Sequence, residues 1–235
     1  MYTGHENNCI ICGKPLVYST ETVMRECCVC HKVFPSDAAC EDGHFVCDSC
    51  HSGGGAEILA HLQQSTQRDP IALFTEVCSL PGVHMHGPEH HSIVPCVLLT
   101  AYKNCGGDID LPASLSEAWT RGKKIPGGAC GFLGVCGAAA GTGIFISILT
   151  GDTPLSGEAW AEAQRMTARA LNAIAGLGGP RCCKRDGRLA IAEAAKYVRE
   201  RFGIDMPLSS PACTFCGKNS ECLRSRCPFF PAGGE

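Results

Sequence analysis

Cysteine is the residue type that dominates the chemistry of this sequence, with 19 cysteines among 235 residues. Near the N-terminus the cysteines fall in pairs separated by two residues, a spacing that lets two thiolates share one metal ion. Eight side chains in four pairs match the ligand sets of two tetrahedral zinc ions. The predicted zinc ligands are Cys9, Cys12, Cys27, Cys30, Cys40, His44, Cys47 and Cys50, with Cys28 and His51 as spare side chains.

The pairing of these ligands has two solutions. Consecutive pairs can share an ion, or the pairs can cross as in RING-like modules, which the run from Cys40 to Cys50 resembles. Residues 1–52 hold too few large apolar side chains for a core, so metal would supply the folding free energy. We expect these closed zinc sites to be structural, and we expect the module to be available to a protein partner.

A second group of ionisable side chains lies in the stretch MHGPEHH. Ser92 is predicted to cap a helix that continues to Asn104, so this stretch is predicted to be a tight turn near a helix N-terminus. Such a cluster can ligate metal, exchange protons near neutral pH or bind an anion, although any single histidine can simply hydrogen-bond the turn. The candidate catalytic residues are His86, Glu89, His90 and His91.

Two glycine-rich stretches, GGACGFLGVCGAAAGTG and GGPRCCKRD, place further cysteines directly before predicted helices. Helix amides and nearby cations lower the pKa of a thiol, which favours metal ligation. Together the two stretches can hold an iron–sulfur cluster, with cations that bind an anionic group. The alternative for the first stretch is a glycine-packed core helix with two buried thiols. The candidate cofactor-binding residues are Cys130, Cys136, Cys182, Cys183, Arg181, Lys184 and Arg185.

The tail CTFCGKNSECLRSRCPFF contains a third group of thiols, whose spacing predicts another compact metal site. Zinc and an iron–sulfur cluster both suit four cysteines. Some of these thiols can instead complete a cluster begun at Cys130 and Cys182. The predicted ligands are Cys213, Cys216, Cys222 and Cys227.

The remaining pattern predicts a mainly α protein, in which a helical domain follows the small Cys/His zinc-binding module. The glycines at 53–55 mark the boundary, so the helical metal domain is predicted for residues 56–235. Asp69, Ser156 and Asp186 are predicted helix caps. Helices are predicted for residues 56–67, 69–79, 92–104, 114–122, 136–149, 156–174 and 187–202.

Composition limits the partners. Hydrophobic residues make up 45% of the chain and charged residues 18%, which supports a packed core. A net charge of −3 gives no reason to expect nucleic acid. The apolar run 135–149 is shorter than the ~20 residues that a bilayer requires, so we expect buried core and no membrane. Without a signal-peptide pattern, and with an odd number of cysteines, we expect a cytoplasmic protein.

Four motifs are familiar in combination: MHGPEHH, GGACGFLGVCGAAAGTGI, GGPRCCKRD and the closing CLRSRCPFF. In this order they resemble an uncharacterised cysteine-rich family of anaerobic archaea and bacteria, the domain-of-unknown-function family 5714, over nearly the whole chain. The resemblance implies an anaerobic setting and relatives sometimes fused to methyltransferase-type domains. It implies no established activity and no catalytic residues.

Three functions compete. The first is an iron–sulfur enzyme that performs sulfur-transfer, dehydration or redox chemistry on a small or anionic substrate, with the histidine stretch moving protons. The second is a zinc-only binding or adaptor protein. The third is a thiol-based redox or metal-delivery protein without a permanent cluster. Cysteines at two helix starts and a His/Glu turn favour the enzyme, because an adaptor has no need of them.

Overall fold

The computed structural model describes residues 8–51 and 53–232. Residues 1–7, 52 and 233–235 lie outside this description. They include most of the N-terminal segment in which no signal peptide is expected, and the terminal residues of both predicted domains. The described part consists of nine α-helices, one two-stranded sheet and two short 3-10 turns. The prediction of a mainly α protein, with a helical domain after a small Cys/His module, is confirmed.

The N-terminal module is built on a β-hairpin that the sequence patterns do not predict. Strand β1 (Leu16–Glu26) pairs antiparallel with β2 (Val33–Cys40), and a short helix α1 (Asp48–His51) follows. Most β1 side chains are exposed on both faces of the hairpin. The alternation of apolar and polar residues that reveals a half-buried strand is therefore absent.

The helical part packs around one buried central helix, α4. This helix contacts α2, α3, α5, α7 and α9, and its apolar side chains form the middle of the core. The helices that follow α1 are α2 (Gly55–Gln64), α3 (Pro70–Cys78), α4 (Glu89–Asn104), α5 (Leu111–Gly122), α6 (Ala129–Phe132), α7 (Gly137–Thr150), α8 (Glu158–Leu177) and α9 (Cys183–Phe202). The cysteine-rich tail then forms the 3-10 turns Cys216–Lys218 and Arg224–Arg226.

Helix α3 begins as predicted, and α4 does not. The Asp69 carboxylate accepts hydrogen bonds from the amides of Ile71 and Ala72, as expected of a cap. Helix α4 starts at Glu89, so the predicted cap Ser92 lies inside it and the predicted tight turn at 86–91 is wrong from Glu89 onward. Pro95 is tolerated within α4 because packing around this buried helix outweighs one missing backbone hydrogen bond.

Two other predicted caps are also wrong. Ser156 accepts a hydrogen bond from the amide of Thr153, and α8 starts after Gly157. Helix α9 begins at Cys183 rather than Gly187, because the Cys182 thiol itself caps it by accepting a bond from the amide of Arg185. Asp186 accepts a bond from the amide of Cys182.

The small residues of α7 allow two neighbouring helices to approach closely. A Cβ added at Gly141 would lie 2.9 Å from Pro95 Cδ on α4, and one added at Gly143 would collide with Thr167 on α8. The alternative interpretation of this stretch, a glycine-packed core helix with two buried thiols, therefore describes the packing of α7, but Cys130 is exposed and Cys136 is only partly buried. Within the described ranges, no helix is long and apolar enough to cross a bilayer.

A matched pair of glycine substitutions tests the packing of α9 against α3. A Cβ at Gly187 would collide with the Phe74 ring, whereas a Cβ at Gly176 on α8 would have no atom within 4 Å. We expect Gly187→Ala to destabilise the protein by about 1–3 kcal/mol through overpacking. Gly176→Ala should stabilise it by about 0.5–1 kcal/mol, because alanine loses less backbone entropy in a helix. Urea unfolding measures both, and equal stabilities would contradict the close contact between Gly187 and Phe74.

Candidate metal centres

The eight predicted zinc ligands form two clusters with crossed pairing. The first pair of cysteines joins the third pair of ligands, and the second pair joins the fourth. The clusters are Cys9, Cys12, Cys40 and His44 in one, and Cys27, Cys30, Cys47 and Cys50 in the other. Within each cluster the ligand atoms lie within 4.8 Å of one another. Each cluster can therefore hold a metal ion, and of the two pairings that the sequence left open the structure has the crossed one.

The spacing of the sulfur atoms suits a single tetrahedral ion. Cys12 Sγ lies 3.7 Å from Cys40 Sγ, and Cys30 Sγ lies 3.8 Å from Cys47 Sγ. A Zn–S distance of about 2.3 Å places two tetrahedral sulfur ligands about 3.8 Å apart. The donors and their separations both fit zinc.

Two similar chain reversals position the leading ligands of the clusters. The amide of Cys9 donates to Lys14 O, and the amide of Cys27 donates to Lys32 O. Each reversal passes through a left-handed residue, Gly13 with φ 77° and His31 with φ 58°. The chain then leaves the first reversal into β1 and the second into β2, so the hairpin holds the two clusters apart.

A third cluster joins the module to the helical part. His51 Nδ1, at the end of α1, lies 3.3 Å from Glu89 Oε2, and His84 Nδ1 lies 3.5 Å from Glu89 Oε1. Glu89 is buried in the first turn of α4, where its other hydrogen bond comes from the amide of His84. The ligand atoms of these three residues also lie within 4.8 Å of one another.

Buried charge controls protonation around Glu89. Although burial raises the pKa of its carboxyl, contacts with His51 and His84 hold that pKa well below the ordinary value. Burial and the Lys184 charge lower the pKa of His90. Neutral His90 donates from Nδ1 to Gly87 O and accepts at Nε2 from Lys184, 2.8 Å away. The Lys184 ammonium also donates to His84 O, so it ties α9 to the chain before α4.

The four candidate catalytic residues point to different places. Glu89 and His90 belong to the network around Lys184, whereas His91 Nδ1 bonds Ile125 O, 3.0 Å away. His86 Nε2 bonds Asn219 Oδ1 in the tail at 3.2 Å. Burial, more than the Arg181 charge, lowers the pKa of His86 to about 4. His86 is therefore neutral at physiological pH.

The thiols at the two helix starts do not form one compact cluster. Cys130 is exposed on α6, and Cys136 precedes α7. Among the described residues, no three of the four predicted cluster thiols have sulfur atoms within 4.8 Å of one another. Burial raises the pKa of Cys136 and of Cys182 to about 11, and it raises that of Cys183 as well. The expectation that helix amides and cations lower these pKa values is wrong, because desolvation outweighs both effects.

One of those thiols instead joins the tail. Cys182 lines one small cavity together with the four tail cysteines whose spacing predicts a metal site, Cys213, Cys216, Cys222 and Cys227. Three of the sulfur atoms accept backbone N–H bonds of 3.3–3.4 Å, those of Cys182, Cys213 and Cys222. The side-chain amide of Asn219 also donates to Cys182 Sγ and so links this cavity to His86.

Buried cations line the same cavity. Lys184, Arg185 and Arg188 have exposed fractions of 2%, 4% and 1%. Arg185 is paired with Asp186 at 2.8 Å. Lys184 and Arg188 bond neutral oxygen and nitrogen atoms, and within the described ranges neither has a carboxylate ion pair. Because a buried unpaired charge is costly, an anionic partner at this cavity would stabilise the protein.

A much larger cavity, of about 1010 Å³, adjoins the small one. Its walls come from the module, the chain between α3 and α4, the start of α9 and the tail. The two cavities share Met85, Lys184 and Phe215. His51 and His84 also line the large cavity, and none of its lining residues is acidic. Its volume is that of a small-molecule site, and its charged lining is cationic.

Of the three cations predicted to bind an anionic group, only Lys184 lines the large cavity. Arg185 is held by Asp186 and Pro180 O. Arg181 lies over the Tyr18 ring at 5.4 Å and 3.9 Å from Glu221. It therefore helps to join the hairpin to the start of α9.

Sequence reasoning does not single out three residues of these centres. It gives His51 only as a spare zinc ligand, and it assigns no role to His84 or Asn219. The sequence offers one indication for His51. It directly follows Cys50, a predicted metal ligand, so its position is constrained by the cluster. His84 lies five residues before Glu89, but its contacts with His51 and Lys184 join distant segments, and the partners of Asn219, His86 and Cys182, are distant as well.

Comparison with known protein families identifies most of this chain. Residues 58–230 match a family of unknown function (DUF5714). A search of curated proteins found no significant match, and neither did a search of solved structures. The matched residues include Glu89 and the thiol-lined cavity, whereas the two N-terminal clusters precede them. Since the match covers most of the chain, the protein belongs to the DUF5714 family.

Proposed function

We propose that this protein is a metalloenzyme that uses an iron–sulfur cluster, with two structural zinc ions in its N-terminal module. One observation carries the proposal. Five thiols and two buried cations without carboxylate partners line a cavity that shares a wall with a cavity of substrate size. Within the described residues, this puts metal-binding donors directly beside space for a small molecule.

The spacing of the thiols favours a cluster over a single ion at the tail. In the N-terminal module, sulfur atoms 3.7 and 3.8 Å apart match the edge of a zinc tetrahedron. Among the tail thiols and Cys182, no three sulfur atoms lie within 4.8 Å of one another. A cluster of several iron and sulfide ions is wider than one ion, so its ligands stand further apart.

The volume and charge of the small cavity bear on how a cluster would bind. The enclosed space is only about 20 Å³, so the tail, which provides four of the five thiols, must shift outward as the cluster binds. Thiolates and a cluster carry net negative charge, which Lys184 and Arg188 would neutralise. Backbone N–H groups donate hydrogen bonds to three of the sulfur atoms, and such bonds help to set the reduction potential of an iron–sulfur cluster.

The neighbouring cavity indicates the kind of substrate. The buried cation Lys184 lines this cavity, and the lining contains no carboxylate, so a small anionic molecule suits it. A cluster held by four thiolates supplies electrons, and one held by three supplies a Lewis acid for dehydration or sulfur transfer. Lys184 stands between the two cavities and would attract the substrate towards the shared wall.

Recognition of a protein partner by the zinc module is a second candidate function. The hairpin exposes several large apolar side chains, among them Val17, Val23, Met24 and Val33. Exposed apolar side chains grouped on one hairpin are typical of a surface that binds another protein. A chain that binds zinc alone would favour this function over the first.

The proposed zinc sites predict a specific pattern of metal loss. With crossed pairing, Cys12→Ser and Cys40→Ser should each remove the same ion, and Cys30→Ser and Cys47→Ser the other. Cadmium NMR of the substituted protein distinguishes the ions, because one site has a histidine ligand and the other has four thiolates.

Cys28→Ser is the matched control for this experiment, since Cys28 is exposed and belongs to neither cluster. It should leave both resonances unchanged. If Cys12→Ser and Cys30→Ser perturb the same resonance, the pairs are consecutive and the crossed geometry is wrong.

The proposed cluster predicts iron and sulfide in protein purified without oxygen. The double variant Cys213→Ser/Cys216→Ser should lose both and keep its zinc, because it removes two of the five thiols that line the small cavity. Absorption spectra with iron, sulfide and zinc assays provide the measurement.

The control is the double variant Cys130→Ala/Cys136→Ala, whose thiols do not line this cavity. It should retain iron at the wild-type level. Colourless wild-type protein that contains only zinc would overturn the proposal, and so would iron that survives loss of the two tail thiols.

A further inference from the structure

The residues His51, His84 and Glu89 come from three separate segments and meet at one point. His51 ends α1 in the module, His84 lies between α3 and α4, and Glu89 opens α4. The rings of His51 and His84 are tilted at 55° to each other with centroids 4.2 Å apart, and each Nδ1 atom lies close to an oxygen of the carboxylate. Convergence of two imidazoles on a buried carboxylate is the starting observation.

The separations between these atoms fit a bound ion. Metal–ligand distances of about 2.1 Å place two tetrahedral ligand atoms about 3.4 Å apart. His51 Nδ1 lies 3.3 Å from Glu89 Oε2, and His84 Nδ1 lies 3.5 Å from the other oxygen, Oε1. Because the ligand atoms of the three residues all lie within 4.8 Å of one another, one ion can be reached by both imidazoles and the carboxylate.

Hydrogen bonding alone leaves part of this cluster unexplained. His84 Nδ1 is buried and has no hydrogen bond of acceptable geometry to any residue in the described ranges, despite its short distance to Glu89. An unbonded polar atom in the interior is costly. A metal ion would use the lone pair of this nitrogen.

Surrounding groups orient the three side chains. The amide of His84 donates to Glu89 Oε1, and the Lys184 ammonium donates to His84 O. A Cβ at Gly87 would collide with Glu89, so this glycine gives the carboxylate its room. Fixed outer contacts of this kind position the ligands of metal sites.

The three side chains differ in their exposure to the large cavity. His51 and His84 line the 1010 Å³ cavity, whereas Glu89 is 1% exposed and is not among its lining residues. Three protein ligands with open positions towards a cavity are typical of catalytic metal sites. Two histidines and one carboxylate form the ligand set that non-haem iron(II) and catalytic zinc use.

We propose that His51, His84 and Glu89 bind one divalent transition-metal ion whose open coordination positions face the large cavity. This site is separate from the two zinc clusters and the thiol-lined cavity, and it does not depend on a cluster at the tail. Its ligand is a divalent ion of intermediate hardness, since it offers nitrogen and oxygen donors rather than thiolates.

Manganese is the probe that distinguishes this site from the thiolate sites. Carboxylate and imidazole ligands accept Mn²⁺, whereas thiolates select zinc and iron–sulfur clusters. The full chain, purified without oxygen, is treated with a mild oxygen-donor chelator and assayed for the zinc and iron that remain. It is then titrated with Mn²⁺, and the free ion is measured by electron paramagnetic resonance.

We expect the wild-type chain to bind one Mn²⁺ per chain, and Glu89→Gln and His84→Gln to weaken binding at least about 10-fold. Glu89→Gln keeps the shape of the side chain and an acceptor for the amide of His84. His61→Gln is the matched control, because His61 lies on α2 outside the cavity lining. It should bind as the wild type does.

The zinc content and thermal unfolding of each variant show whether it has folded, and His51→Gln provides a third variant if either of the others has not. Wild-type protein that binds no Mn²⁺ would overturn the proposal. Equal binding by the wild type and by folded variants at positions 51, 84 and 89 would overturn it too.

Discussion

The buried ammonium of Lys184 is the interaction on which the arrangement of the metal centres depends. It donates to His84 O and to His90 Nε2, and so connects the start of α9 with the chain that enters α4. Lys184 also belongs to the wall between the two cavities. Because it is buried without a carboxylate ion pair in the described part of the chain, its position depends on these two bonds and on negative charge nearby. Glu89 lies beyond His90 on one side, and the thiols lie on the other.

Three kinds of donor set therefore meet in a small region. The module contains two Cys/His clusters that can each hold a metal ion, and a histidine–carboxylate group lies at the contact between the module and α4. Five thiols line the small cavity at the tail. The family match at residues 58–230 includes the tail thiols and two members of the histidine–carboxylate group, His84 and Glu89. His51, the third, comes from the module. The contact between the two parts therefore determines whether this group is complete.

Spacing along the chain predicts some of this arrangement. The C-x2-C pairs predict the ligands of the N-terminal clusters, because this spacing lets two thiolates reach the same ion. Asp69 and Pro70 predict the start of α3 by local chemistry alone. The start of α4 escapes such prediction, because burial of the helix overrides the local signals at Ser92 and Pro95.

The remaining site residues depend on contacts between distant segments. His84 meets Glu89 five positions away, but its encounter with His51 requires the module to dock, and no spacing encodes that. The sequence allows Cys182 to join Cys136 or the tail thiols, and in the structure it lines one cavity with the tail thiols. Its raised pKa reflects burial, which cannot be judged from the charged residues beside it in the sequence.

The crossed pairing of the N-terminal clusters has a consequence for assembly of the whole protein. The ligands of the first cluster span residues 9–44, and those of the second span residues 27–50. The first two ligands of the second cluster therefore lie within the segment that the first cluster would close into a loop, and its last two ligands follow that segment. The two loops overlap in the sequence. Closing one loop therefore lowers the entropic cost of closing the other, and we expect the module to bind its metals cooperatively. The last thiolate immediately precedes His51. If the second cluster binds metal, its closure would fix the position of this imidazole beside α4, and metal supplied to the module would complete the walls of the large cavity.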